Sequence, residues 1–245
     1  MKIEIKLPTS WNELTTAQML YVFFLIAEGY NATAIRTFCL LRWGGITVLQ
    51  QAADGRWLIE KDGQRGYVTA GLIADTATTL AFLDVPPAVP ARPEVFNGHQ
   101  ALPADFMGVP FEKFLCIDNL YQGWLHTEDA ALIAQMADIL YETEGSKLTK
   151  VQEVAVCYWV ISLKKMFANR FRHFFQPVTT TDNLLDVPLP SPEKIQEAMD
   201  TQIRALTKGD ITKEAEVLQL DTWRALTELN AQAKEYEELR RMYKA

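Results

Sequence analysis

Hydrophobic and polar positions along the chain change period several times, and each change predicts an element. At the start, Ile3, Ile5 and Leu7 alternate with Lys2, Glu4 and Lys6, which predicts a half-buried strand closed by Pro8. The stretch LTTAQMLYVFFLIAEG follows, with nine residues from Met19 to Ala27 that contain no charged side chain. Ser10-x-x-Glu13 and Thr15-x-x-Gln18 both have capping-box spacing, so a helix is expected from about residue 15 to Glu28, with Gly29 past its end. The run is too short to cross a bilayer, which needs about 20 apolar residues. A second, largely apolar helix is predicted over NATAIRTFCLLRW and ends at Gly44-Gly45.

In RWLIEKDGQRGYV, alternation on both sides of Asp62-Gly63 predicts a hairpin, expected to form one small antiparallel sheet with the amino-terminal strand. A helix is expected over TAGLIADTATTLAFLD. Prolines exclude helix and central strand from 85 to 93, which is read as a stiff linker, and the segment up to Pro110 is read as irregular. From Phe111 the pattern is helical. Phe111, Phe114, Leu115, Ile117, Tyr121 and Leu125 lie at helical spacing, Thr127 is read as the cap of the next helix, and KLTKVQEVAVCYWVISLKKMFANRF makes the longest apolar helix of this half. Beyond Pro177 and a loose stretch, Ser191-Pro192 reads as a helix start leading into the stripe Ile195, Met199, Ile203 and Leu206.

The last stripe starts with Ile211, Ala215 and Leu218 and continues as Trp223, Leu226, Leu229, Ala233, Tyr236, Leu239 and Tyr243. From Trp223 its steps are 3, 3, 4, 3, 3, 4, a mean of about 3.33, short of the 3.5 of a sustained two-stranded coil. The expectation is a helix lying across another surface, with Glu237 and Arg241 paired on its polar side. The fold class expected is mainly α, a helical bundle with a small antiparallel β element made of the amino-terminal strand and the hairpin near 56–69. The regions expected are 1–84, a linker and irregular segment at 85–110, a helical core at 111–177, a linker at 178–191 and a helical tail at 192–245.

One echo runs through this pattern. Leu14-Thr15-x-x-Gln18 and Leu148-Thr149-x-x-Gln152 each precede an aromatic-rich apolar run. Thr-x-x-Gln caps any helix, so the plain reading is coincidence; the sharper one is a pair of core helices that pack on each other.

A net charge of −7 argues against broad binding to a phosphate backbone. Cys39, Cys116 and Cys157 are odd in number and far apart in sequence, and read as reduced core thiols. Phosphate-binding Gly-rich loops, the Gly-x-Ser-x-Gly elbow and the His-Glu-x-x-His zinc signature are all missing from the sequence. DGRWLIEKDGQRG fails the EF-hand pattern. His99, His126 and His173 show no metal-ligand spacing, and Cys116 and His126 would meet only by accident of folding. No catalytic, cofactor or metal residue is assigned, and the chain is read as non-enzymatic.

The densest chemistry is LKKMFANRFRHFFQP, where Lys164, Lys165, Arg170, Arg172 and His173 stand among Phe167, Phe171, Phe174 and Phe175. Closing a core while cations complement a helix carboxyl end is the first reading, an acidic partner the second, and single-stranded nucleic acid the last.

The tail pattern I-x-x-A-M-x-x-x-I-x-x-L-T-K-G-D-I-T-x-E-x-x-V-L, followed by WRALTELNAQAKEYEEL, resembles the end of phage and prophage morphogenesis proteins. The opening LPTSWNELTTAQ is similar to the start of phage tail assembly chaperones, where a short strand leads into a Trp-containing helix. This resemblance covers about the first 45 and the last 55 residues. It implies a helical protein of the host bacterial cytoplasm, or of the virion, that shields a tail tube, tape-measure or baseplate component. Homo-oligomerisation is compatible with it, and neither nucleic acid nor membrane is expected as a partner. The candidate contact residues are Trp223, Leu226, Leu229 and Tyr236, then Lys164, Lys165, Arg170, Arg172 and Phe174, because large aromatics commonly carry interface energy. A permanent tail, neck or baseplate part is one alternative. A helical enzyme or ligand-binding protein, with a pocket lined by Cys116, Tyr121, Trp124 and His126, is the other.

Overall fold

A computed structural model describes residues 5–175 and 192–244 of the chain. It is mainly α-helical with a small antiparallel β element, the fold class expected. Contacts divide the chain into two units. The first takes residues up to Pro87 with Ala91–Pro93 and Thr149–Tyr158; the second takes Ala88–Pro90, Glu94–Leu148 and the chain from Trp159 onward. These units do not follow the order of segments along the sequence.

In the first unit, α1 (Thr16–Ala27) starts with a complete capping box. Thr15 Oγ1 accepts from the Gln18 backbone N–H at 3.2 Å, and the Gln18 side chain accepts from the Thr15 N–H at 2.9 Å. The Ser10 side chain caps nothing. Thr9 bonds Glu13 through both its N–H and its hydroxyl, and Trp11–Glu13 forms a single 3-10 turn. α2 (Ala32–Trp43) is capped by Asn31, and Gly45 beyond its end has φ +63°.

β1 (Thr47–Gln51), β2 (Trp57–Lys61) and β3 (Gln64–Val68) form a three-stranded antiparallel sheet in that order. Asp62 and Gly63, with φ of 50° and 74°, make the tight turn that joins β2 to β3. The third strand comes from Thr47–Gln51 and not from the amino terminus: Ile5–Pro8 carries no strand, and Met1–Glu4 lies outside the described residues. β1 was hidden because all five of its residues are exposed, so no buried face imposes alternation, and a bulge at Leu49 breaks its register. α3 (Ala70–Ala77) gives way to a 3-10 stretch, Thr78–Asp84.

Trp11, Val22, Phe23, Cys39, Leu40, Leu80, Leu83 and Ala155 are buried in one cluster. Ala155 and Tyr158 belong to α6 (Lys150–Arg170), and the Tyr158 ring sits 5.3 Å from Phe23 of α1. Thr149 and Gln152 repeat the reciprocal cap. The two Leu-Thr-x-x-Gln helices therefore do pack on each other, and the same motif seeds both.

Between Val85 and Pro93 the backbone is neither helix nor strand, but Pro87, Pro90 and Pro93 are buried, three residues apart as in an extended proline helix. The segment read as irregular contains β4 (Val95–Phe96) and β5 (His99–Gln100), turned by Asn97-Gly98 with both φ positive. In the second unit, α4 (Phe111–Thr127) buries Phe111, Phe114, Leu115 and Ile117, and α5 (Ala130–Leu140) packs against it. Asp129 caps α5; Thr127 belongs to α4, where its hydroxyl donates to the Gly123 carbonyl. α7 (Pro192–Thr207) starts at the expected proline, while its expected cap, Ser191, lies outside the described residues. α8 (Glu214–Leu218) buries Val217, leaving Ile211 and Ala215 of the expected stripe exposed, and α9 (Thr222–Lys244) closes the chain.

Candidate interaction surfaces

The start of α9 is locked to the segment before α4. Phe111 N–H donates to the Leu220 carbonyl at 2.8 Å, and Thr222 donates to the Val109 carbonyl through both N–H and hydroxyl, at 2.9 and 2.7 Å. Asp221 accepts from Gly108 N–H at 2.6 Å and from Arg224 N–H at 3.0 Å. The Trp223 indole donates to the Asp105 carbonyl at 2.7 Å, and its ring packs edge-on against Phe167 and Phe171. Leu226 and Leu229 are buried. Three of the four leading candidates for partner contact are thus occupied inside the chain; Tyr236, 68% exposed, is free to meet something else.

Most of the basic aromatic run is also structural. Lys164 pairs with Asp118 and lies over the Tyr121 ring at 5.2 Å. Phe167 and Phe171 are buried. After α6, Asn230 Oδ1 of α9 accepts from the N–H groups of His173 and Phe174, at 3.0 and 3.2 Å, and His173 Nδ1 meets Glu237 Oε2 at 3.1 Å. Phe174 is half-buried against Phe175, and the Arg172 guanidinium turns back onto the Asn169 carbonyl. Lys165 and Arg170 stay exposed. Glu237 faces His173, while the ion pair on the helix surface joins Lys234 to Glu238 and not Glu237 to Arg241.

The residues of the alternative pocket all sit on α4. The Tyr121 and Trp124 rings are 5.8 Å apart, His126 is exposed, and Cys116 is half-buried, its thiol pushed up mainly by loss of solvent. Burial pushes Cys39 and Cys157 further, to about 12, so neither is a thiolate near neutral pH. No group of three metal-ligating side chains occurs among the described residues, and no described helix is long and apolar enough to cross a membrane.

Two further surfaces are open, one on the apolar helix pair, where the sequence leaves room for a partner, and one beside the sheet. The outer face of the α1–α2 pair carries Phe24, stacked on half-buried Tyr21 at 6.4 Å; the Arg42 guanidinium covers Tyr21 at 4.2 Å; and Tyr30 meets Phe38 edge-on at 5.1 Å. Phe24 and Tyr30 are 43% and 44% exposed. The nine-residue apolar run thus buries Met19, Val22, Phe23 and Leu25 and leaves its wet side aromatic. Tyr, Phe and Arg are the residue types enriched in protein interfaces. The second surface is an open groove of about 830 Å³ between the sheet and α2–α3, lined by Leu7, Leu40, Ile46, Ile59, Val68, Leu72 and Ile73, with Arg56 and Tyr67 among its polar groups. Arg56 is engaged there by Asp54, so among the described residues no unpaired charge lines the groove.

Compared with family models, curated proteins and solved structures, the chain matches none.

Proposed function

We propose that the chain is a non-enzymatic assembly factor of a phage or prophage particle, of the tail assembly chaperone kind, and that it grips a structural partner through the aromatic face of α1 and α2. The observation that carries the reading is that face. Tyr21 and Phe24 on α1, Phe38 and Arg42 on α2 and Tyr30 in the turn between them lie on the outside of a helix pair that buries Val22, Phe23, Cys39 and Leu40 on its inner side. Rigid aromatics offer a large contact area at low entropic cost, and arginine adds a donor fork; such groups dominate interface energy. The opening LPTSWNELTTAQ, which resembles the start of tail assembly chaperones, leads straight into this face.

Mixing the purified chain with the tail tube, tape-measure and baseplate proteins encoded beside it tests the proposal. One of them should co-elute at fixed stoichiometry, and Phe24→Asp combined with Tyr30→Asp should abolish the complex without lowering the melting temperature. Failure to bind any of these proteins sinks the reading. Recovery of the chain in purified particles would make it a permanent virion part instead.

A further inference from the structure

We infer that the exposed end of α9 pairs side by side, and in the same direction, with α9 of a second copy of this chain. Its outward residues are Tyr236, Leu239 and Tyr243, with Met242 beside them; Tyr243 is 89% exposed. Steps of three and four place the first three on one seam, a–d–a of a heptad, with leucine at d as two-stranded parallel pairs prefer. Glu235 then occupies the position before the seam and Arg240 the position after it. In a parallel pair, Glu235 of one helix lies beside Arg240 of the other, five residues on, and the two-fold axis makes that contact twice. An antiparallel pair would bring the Arg240 flanks together. Neither Glu235 nor Arg240 has an ion-pair partner among the described residues.

The other side of this turn is already held. Glu237 points away from the seam to His173, and Lys234 and Glu238 neutralise each other at 3.8 Å. The helix end is thereby fixed while its apolar seam faces outward. One and a half heptads bury less than the roughly 1,200 Å² of a stable interface, so the association is concentration-dependent. The inference is independent of the phage reading, since it concerns two copies of this chain alone.

Sedimentation velocity over a concentration series should show the mass rising reversibly toward that of two chains. Glu235→Arg and Arg240→Glu should each weaken association about tenfold, and the two together should restore it. For direction, Tyr236→Cys, Leu239→Cys and Tyr243→Cys should each cross-link to its own counterpart under mild oxidation, because a parallel pair brings every seam position to itself. Cross-linking at only one of the three positions overturns the parallel arrangement. A monomer up to about millimolar concentration, with no cross-link at Leu239→Cys, overturns the pairing altogether. Circular dichroism of each variant confirms that the surface substitution leaves the fold intact.

Discussion

The first half of α9 and its second half differ in surroundings far more than in composition. From Thr222 to Leu229 the helix is bolted to the segment before α4 by backbone hydrogen bonds, an indole donor and a cap, and Ala225, Leu226 and Leu229 are buried. From Glu235 on, equally apolar residues stand in solvent, tied down on one side by Glu237. Geometry explains the change. A stripe with a mean step of about 3.33 falls behind the 3.6-residue turn, so over the twenty residues from Trp223 to Tyr243 it winds about 160° around the helix. One straight helix cannot press such a stripe against one surface. The first half meets the chain's own core and the second faces away.

Substitutions can break this comparison, and the largest effect belongs to the buried half. Leu226→Ala should cost about 2–5 kcal/mol in denaturant unfolding, as for other fully buried leucines, whereas a value under 1 kcal/mol would mean the packing is looser than described. Asn230→Ala strips the acceptor from two backbone N–H groups, and a loss of about 1–3 kcal/mol is expected, with faster hydrogen exchange at His173 and Phe174. Asp221→Ala should cost about 1 kcal/mol through the lost cap, and exchange should quicken at Gly108 N–H. Tyr236→Ala or Leu239→Ala, by contrast, should change monomer stability by no more than about 0.5 kcal/mol.

Alkaline pH sharpens the contrast between buried and exposed groups in another way. Cys39 and Cys157 ionise near 12 in the folded chain but near 9.0 when unfolded. Between these values the unfolded state loses protons that the folded state keeps, so stability is full below about pH 9 and falls as pH rises toward 12. Replacing both cysteines with alanine should flatten that part of the stability–pH curve. Equal slopes in the wild type and the variant would show that these thiols do not drive it.

Much of the fold was legible because its signals are local. Thr15 and Thr149 with their glutamines and the Asp62-Gly63 turn mark boundaries through bonds within four residues, and Pro192 marks a helix start because the first helical position needs no N–H; these formed where the pattern placed them. β1 was not legible, because an exposed, bulged edge strand has no periodic burial to betray it. Nor was β4–β5: its Asn97-Gly98 turn is a hairpin signal, but two-residue strands leave no alternation beside it. Among the candidate contacts, Trp223, Leu226 and Leu229 meet the chain's own core, a choice the sequence does not reveal because an apolar stripe looks the same whether it meets that core or another molecule.

The sequence alone determined where helices start and stop, which side chains are apolar enough to need cover, and how far the last stripe winds. These follow from hydrogen bonds and rotations spanning a few residues. Only the tertiary structure decided which apolar faces found that cover at home. It sealed Trp223 with Asp105 and Phe167, and it left Phe24, Tyr30 and Tyr236 outside. That choice depends on contacts between residues far apart along the chain, and no local pattern encodes which surfaces meet.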